Sequence, residues 1–311
     1  MEIFGFTKPA CHPIKLPEED SFAFKEVDGT VVAAVADGIT RDPIGVKFLP
    51  PRAALAARRR AFANYPNPSP AKIAADIFCR SFSQFLSAHY STAKYSSGKI
   101  IKDAFQSANE KIAEYNRQTF PRIDYLENDF AACVAVGGII NDKRLFYGFI
   151  GDCGVAVFDK TGRLKFRTPD EVEPVQKFLM SENKSFSDPA RRVEIRSQFR
   201  NNPKHRVNGK KLSFGALTGE PVASQYFRFG DINLVAGDRV LFYSDGITEI
   251  IFDKNFGDWL TKNNLSELKN YTLKNSSPTQ NPSEGTLIAL EIRRIKLVES
   301  ASTAINYPTA S

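Results

Sequence analysis

Most apolar runs in this chain follow one another across very short turns, and this spacing limits the possible folds more than any other feature. Ser21–Val27 and Thr30–Ala36 flank Asp28-Gly29, a pair typical of a tight hairpin because glycine adopts a positive φ without steric cost. Phe130–Ile140 and Arg144–Ile150 are separated by a short polar turn. Parallel strands need crossovers of a dozen or more residues, so these strands must pair antiparallel.

Amphipathic segments with helix signals lie between the strands. Helices are predicted from Pro51, from Pro70 to about His89 after the capping Ser69, and from Ile100 to about Gln118. Two more are expected before a last strand, Thr286–Ile292. The order of strands, helices, strands, helices and strand predicts an antiparallel α+β fold, not a doubly wound parallel sheet.

Composition and missing motifs exclude several classes of protein. The 311 residues carry 42 Lys and Arg against 35 Asp and Glu, a net charge of +7 spread along the chain, which does not indicate nucleic-acid binding. No apolar run approaches the ~20 residues of a membrane span. Four distant cysteines without a CxxC pair fit a reducing cytoplasm. Without a P-loop, a GxSxG elbow or clustered histidines among the three present, an enzyme of this sequence must use carboxylates.

Three aspartates stand where an apolar strand stops, each beside a glycine. They are Asp37 before Gly38, Asp152 after Gly151, and Asp245 before Gly246. Each alone is explained by an ordinary turn, since Asp and Gly fill turns everywhere. Three equivalent strand ends, however, can aim their carboxylates at one point.

Clustered carboxylates repel one another unless a cation neutralises them, and Mg²⁺ or Mn²⁺ prefers oxygen ligands. Two such ions about 3.5–4 Å apart can bridge a water, lower its pKa and present hydroxide to a phosphorus atom. No protein nucleophile is then required, which agrees with the missing motifs.

Four segments resemble, in order, the motifs of the metal-dependent (type 2C, PPM) Ser/Thr protein phosphatases. They are EDSFAF (19–24), VADGI (35–39), FIGDCGVAV (149–157) and LFYSDGITE (241–249), supported by FAACVAV (130–136) and TPDE (168–171). The resemblance covers about residues 15 to 292. It implies a four-layer α-β-β-α sandwich with two central antiparallel sheets and a metal site at one end.

The resemblance also implies a role for each matching residue. Asp37 would bridge two ions, the Gly38 carbonyl would bind one and Asp245 the other, while Asp152 would serve a weak third site. Glu19 and Asp20 would hold metal-bound waters. Lys15 stands where the family has a phosphate-binding arginine and supplies charge without the bidentate fork.

This sequence departs from the family pattern at several positions. Gly154 replaces an arginine and Glu171 a histidine, while the last metal motif reads Ser283-Glu284-Gly285-Thr286, with serine in place of the ligand aspartate. Glu284 becomes a metal ligand if this segment is a flexible loop. On a regular strand it would point to the opposite face.

The leading hypothesis is a phosphatase acting on phosphoserine or phosphothreonine in proteins. A pseudophosphatase that binds phosphoproteins and a phosphatase of small metabolites stay open as alternatives. We expect a catalytic domain over residues 1–296 with a flap or insertion near 173–211, and a disordered tail over 297–311. The protein is expected to be a cytoplasmic monomer that binds neither nucleic acid nor membranes.

Overall fold

A computed structural model describes residues 2–11, 17–27, 29–39, 63, 65–89, 97–120, 122–123, 130–141, 143–184 and 192–292. Lys15, the helix predicted from Pro51 and the tail 297–311 lie outside these residues. Within them, no helix has the length and apolar character required to cross a bilayer.

The strands form two five-stranded antiparallel sheets. Sheet I has the order β1-β12-β11-β6-β7 and sheet II the order β10-β5-β4-β3-β2. Their bounds are β1 Glu2–Lys8, β2 Ser21–Val27, β3 Thr30–Gly38, β4 Cys133–Asn141, β5 Arg144–Ile150, β6 Gly154–Phe158, β7 Leu164–Arg167, β8 Arg206–Val207, β9 Lys210–Lys211, β10 Arg228–Asn233, β11 Arg239–Tyr243 and β12 Gly285–Glu291. The short strands β8 and β9 pair with each other.

Helices cover the outer face of each sheet. Their bounds are α1 Pro70–His89, α2 Ser97–Thr119, α3 Glu173–Ser181, α4 Arg192–Glu194 with a π-helical continuation Ile195–Phe199, α5 Thr248–Ile251, α6 Phe256–Lys262 and α7 Leu268–Lys274. The helices predicted from Pro70 and from Ile100 are therefore confirmed as α1 and α2.

Three apolar cores separate four layers, so the predicted α-β-β-α sandwich is confirmed. One core joins α1 and α2 to sheet II, and a second fills the space between the sheets. The third joins α5, α6 and α7 to sheet I. Alternation along the strands explains this arrangement, since successive side chains of β3 such as Val31 and Val32 enter different cores.

The polar segment 173–211 has its own small core. It contains α3, α4 and the β8–β9 pair, and Val175, Leu179, Ile195 and Phe199 pack together beside the sandwich. An insertion in this region was expected from the weak pattern, and the structure gives it helices that the sequence did not predict.

Strand β1 is a further element that sequence analysis missed. It is an edge strand of sheet I and pairs with β12 over its whole length, from Glu2 opposite Glu291 to Lys8 opposite Gly285. Lys8 ends this strand fully buried. The two ends of the described chain thus lie side by side, and a lysine lies beneath the loop that precedes β12.

The strand registers bring the acidic motifs to one end of the sandwich. In sheet II Ser21 pairs with Ala36, so Asp20 lies opposite Asp37. In sheet I Tyr243 pairs with Gly154, which brings Asp245 close to Asp152. Both strand pairs end on the same side, and the four aspartates meet there.

Replacing Phe105 with alanine should weaken the packing of α1 and α2 against sheet II. Its buried ring lies 5.0 Å from Phe78, 5.5 Å from Phe82 and 5.4 Å from Phe227 between centroids. We expect Phe105→Ala to lower the free energy of unfolding by about 3–5 kcal/mol in urea titrations. Leu164→Ala, at an exposed position, should change it by less than about 0.5 kcal/mol. Equal losses in both variants would contradict this packing.

Candidate metal centre

Asp37 and Gly38 form the end of β3, where the backbone comes very close to its neighbours. A Cβ atom on Gly38 would lie 2.6 Å from the carbonyl carbon of Ala71 at the start of α1 and 2.8 Å from the carbonyl oxygen of Glu19. Only glycine fits this contact. The close packing fixes Asp37 between the first turn of α1 and the segment that carries Glu19 and Asp20.

The negative charges of Asp20 and Asp245 both act on the carboxyl group of Asp37 and raise its pKa. Asp20 is buried, and its Oδ2 accepts a hydrogen bond of 2.7 Å from the Ser244 hydroxyl. The Ser244 Oγ in turn accepts one from the Thr286 amide at 2.8 Å. Because these carboxyl groups raise one another's pKa values, the cluster retains protons that isolated aspartates would release.

The pKa values of all four clustered aspartates are raised, and burial is the largest cause. Burial raises the pKa of Asp20 to about 6, with the charge of Asp245 adding to the shift. Burial and the charges of its neighbours hold the pKa values of Asp37 and Asp152 well above their usual range. Part of Asp245 contacts solvent, yet loss of water around its carboxyl group raises its pKa as well. The site is therefore short of positive charge.

Asp152 extends this cluster toward the α3 segment. Its Oδ1 is buried without a hydrogen-bond partner among the residues described. Asp170 raises the pKa of both Asp152 and Asp245 through its charge. The other role of Asp170 is structural, because its Oδ1 accepts hydrogen bonds from the amides of Val172 and Glu173 at the start of α3. Sequence analysis quoted its motif but did not single out this carboxylate.

Glu19, expected to hold metal-bound waters, makes other contacts in this structure. Its Oε1 accepts hydrogen bonds from the Tyr65 hydroxyl at 2.7 Å and from the Ser69 hydroxyl. Ser69 also receives the amide of Lys72, as the predicted cap of α1 should. Glu19 thus ties the acidic segment to the first turn of α1, and its role toward metal-bound water stays a prediction.

The segment 281–284 lies where the sequence places the last metal motif. A Cβ on Gly246 would lie 3.2 Å from the Cβ of Ser283 and 1.6 Å from the carbonyl oxygen of Glu284. Ser283 therefore stands beside the Asp245-Gly246 turn, where the resemblance expects an aspartate. Whether this segment corresponds to the family's last metal motif stays a prediction.

Glu284 uses both carboxylate oxygens in hydrogen bonds to the backbone. Oε2 accepts from the amide of Glu19 at 2.9 Å and Oε1 from the amide of Asp20 at 3.1 Å. Burial and the charge of Asp20 raise its pKa to about 8. Ligation of a metal by Glu284 stays a prediction, and it would require these two hydrogen bonds to be given up.

The other two departures from the family pattern have local causes. A Cβ on Gly154 would lie 2.4 Å from the Thr168 hydroxyl and 2.5 Å from that of Tyr243, so an arginine cannot be placed here. Glu171 instead forms an ion pair of 2.6 Å with Arg228 of β10. Neither position supplies a cation to the cluster.

The donor set fits a hard divalent cation. It consists of clustered carboxylate oxygens with raised pKa values and one unpartnered buried oxygen, which is the chemistry that Mg²⁺ and Mn²⁺ satisfy. No three acidic, histidine or cysteine side chains within the described ranges already converge on one ion position. The carboxylates would therefore have to rearrange to hold an ion.

Sequence analysis missed the polar residues that support this cluster. Three of these residues are buried: Ser244 donates to Asp20, Thr286 donates its amide to Ser244, and Lys8 donates to carbonyls of the segment before β12. Ser244 and Thr286 belong to the motifs that contain Asp245 and Glu284, and this position could have identified them as part of the site. No motif contains Lys8.

Asp37→Asn should stabilise the metal-free protein at pH 8. A carboxyl group whose pKa is raised by folding stabilises the protein at low pH, and that stability is lost as pH rises through the folded pKa. In EDTA, the free energy of unfolding should fall between pH 5 and pH 8 in the wild type. Asp37→Asn should recover part of this loss at pH 8, because the amide adds no charge to the cluster.

The control is Asp258→Asn on the exposed surface of α6, which should follow the wild-type pH dependence. Stability that rises steadily from pH 5 to pH 8 in EDTA would contradict the description of a repulsive cluster.

Comparison with known proteins finds relatives by structure alone. No family model and no curated protein matches this sequence. The Ser/Thr phosphatase PstP of Mycobacterium tuberculosis superposes with a TM-score of 0.59 at 15% identity, covering 94% of this chain and 99% of that one. A bacterial serine phosphatase gives 0.61 at 13% identity, with 96% and 100% covered. The S. agalactiae Ser/Thr phosphatase gives 0.58 at 14%, with 94% and 99% covered.

The catalytic domain of PstP has also been crystallised with two manganese ions, and it superposes with a TM-score of 0.57 at 15% identity over 94% of this chain and 99% of that one. At such low identity the likeness establishes the fold. The resemblance to type 2C phosphatases that the motifs predict is confirmed at that level: the chain has the fold of these Ser/Thr phosphatases.

Proposed function

We propose that this chain is a Mg²⁺- or Mn²⁺-dependent phosphatase of phosphoserine and phosphothreonine in proteins. The observation that carries the proposal is the carboxyl cluster at one end of the two sheets, in which the charges of Asp20, Asp152 and Asp245 all act on Asp37. The phosphatase fold of its structural relatives and the two manganese ions of PstP support the same reading.

In this proposal Asp37, the Gly38 carbonyl, Asp245 and Asp152 hold the ions. When bound, the ions supply Lewis acidity that activates water and stabilises charge on the phosphoryl oxygens. Asp37 would serve both ions, and its closeness to Asp245, whose charge raises its pKa, supports this role. Asp152, with its unpartnered Oδ1 and the nearby charge of Asp170, is the natural place for the weak third ion.

The remaining residues would position groups around the ions or supply charge for the phosphate. Asp20 is held by the Ser244 hydroxyl and would hold metal-bound water, as would Glu19. Lys15 would contribute the positive charge that attracts phosphate. The polar segment 173–211 follows closely after Asp170 in the chain, so it would be able to contact the protein that carries the phosphate. A cytoplasmic, monomeric protein remains part of the proposal.

A pseudophosphatase is the second candidate, and Ser283 is the observation that favours it. The side chain beside the Asp245-Gly246 turn lacks the carboxylate that the family places there. Such a protein would bind ions and phosphoprotein with little turnover.

Hydrolysis of p-nitrophenyl phosphate with Mn²⁺, Mg²⁺ or EDTA tests the proposal. We expect turnover that requires metal and is lost in Asp37→Asn and Asp245→Asn by more than the roughly 10–100-fold that loss of an outer contact costs. Asp258→Asn should match the wild type. A folded protein with no turnover above the EDTA blank would contradict the enzyme, and binding of both Mn²⁺ and a phosphopeptide by that protein would support the second candidate.

Ser283→Asp should strengthen the weaker metal position. The new carboxylate would stand beside the Asp245-Gly246 turn and add a ligand where the family has one. We expect the Mn²⁺ concentration for half-maximal turnover to fall at least about tenfold, by analogy with the 10–100-fold effects of single contacts around metals. Ser276→Asp, in the segment after α7, is the matched control and should leave it unchanged. An unchanged requirement in Ser283→Asp would show that this position does not face the ions.

A further inference from the structure

We infer that Glu284 is a positioning residue that holds Asp20 in the carboxyl cluster, and that it does not ligate metal. This inference rests on the proposed function, because holding Asp20 in place serves a purpose only if the cluster binds metal. The contact itself is a property of the metal-free protein and can be tested on its own.

The carboxylate of Glu284 grips two successive backbone amides. Oε2 accepts from Glu19 and Oε1 from Asp20, at 2.9 and 3.1 Å. This contact spans more than 260 residues of sequence and joins sheet I to the segment that begins sheet II. A carboxylate with one oxygen on each amide resists rotation of both peptide groups.

The segment that carries Glu284 is itself fixed by the end of β1. The buried Lys8 amino group donates to the carbonyl oxygens of Asn281, at 3.1 Å, and Ser283. Between them, the Pro282 carbonyl accepts from the Cys11 amide at 2.7 Å. The three successive carbonyls of residues 281–283 therefore all accept hydrogen bonds from Lys8 or Cys11.

The opposite side of this segment is closed by Gly246. A Cβ there would lie 1.6 Å from the Glu284 carbonyl oxygen, so the two backbones are in direct contact. With carbonyls held by Lys8 and Cys11 and the backbone blocked by Gly246, the segment cannot move as a flexible loop. Glu284 can reach the cluster only by releasing both amides.

Asp20 is held in place by three hydrogen bonds, one of them to Glu284. Its amide is held by Glu284, its carbonyl by the Lys72 amino group at 2.6 Å and its carboxyl by Ser244 at 2.7 Å. Repulsion from Asp245 would otherwise push this side chain away from Asp37. The two hydrogen bonds to Glu284 keep Asp20 beside Asp37. Contacts of this kind, made around the ligands of a metal site, tune its affinity for the ion.

Lys8 supports this segment from the β1 side. Its pKa is lowered by burial, and the nearby Glu284 and Asp20 act in the opposite direction. Its amino group bonds to carbonyls of the segment without entering the cluster. Where the resemblance expects a ligand aspartate, the segment carries Ser283, and the next residue, Glu284, supports Asp20.

Amide hydrogen exchange of Glu19 and Asp20 tests the inference. In metal-free protein, Glu284→Ala should raise exchange of both amides at least tenfold, and Glu284→Gln, which keeps one acceptor oxygen, by less. The Glu291→Gln control at the other end of β12 should leave both unchanged. Amides of Ala33 and Ala34 in β3 report whether each variant is folded.

Mg²⁺ then separates positioning from ligation. We expect both amides of the wild type to stay protected with saturating Mg²⁺, and Glu284→Gln to bind the same number of ions about tenfold more weakly by calorimetry. Exchange in Mg²⁺-loaded wild type that rises to the Glu284→Ala rate, or the loss of one bound ion in Glu284→Gln, would overturn the inference. If no ion binds at all, the phosphatase proposal fails, while exchange without metal still decides whether Glu284 holds Asp20.

Discussion

Mutual repulsion of clustered carboxyl groups is the constraint on which the rest of this structure depends. Four aspartates meet at one end of a sandwich, and their raised pKa values show that the site resists carrying their full charge. A fold driven by stability alone would not gather them. The apolar cores on both sides of the sheets must supply the stability that holds this arrangement together.

The sandwich meets this constraint with close backbone contacts and buried polar anchors. Gly38 and Gly246 let neighbouring segments approach until no side chain fits between them. Ser244 bonds both to Asp20 and to the amide of Thr286, which links the two sheets at the cluster. Lys8 places positive charge beneath the last motif. Each of these contacts joins residues far apart in sequence, so the site exists only in the folded chain.

Much of this could be predicted from sequence because it is local. Asp28-Gly29 and the short gaps between apolar runs determine the hairpins, and Asp37, Asp152 and Asp245 follow from strand ends. What could not be predicted depends on register and long-range contact. Strand β1 pairs with β12 at the other end of the described chain, Lys8 is an ordinary lysine in sequence, and the hydrogen bonds from the amides of Glu19 and Asp20 to Glu284 require both sheets to be in place.

The most direct test of the account is the number of Mn²⁺ ions that the metal-free protein binds, counted by the loss of the free-ion signal in electron paramagnetic resonance. The account predicts at least two ions per chain in the wild type. It predicts that Asp37→Asn, which alters the group lying between the other carboxyls, loses this binding while remaining folded. A folded wild-type protein that leaves all Mn²⁺ free in solution would contradict the claim that this cluster is a metal centre.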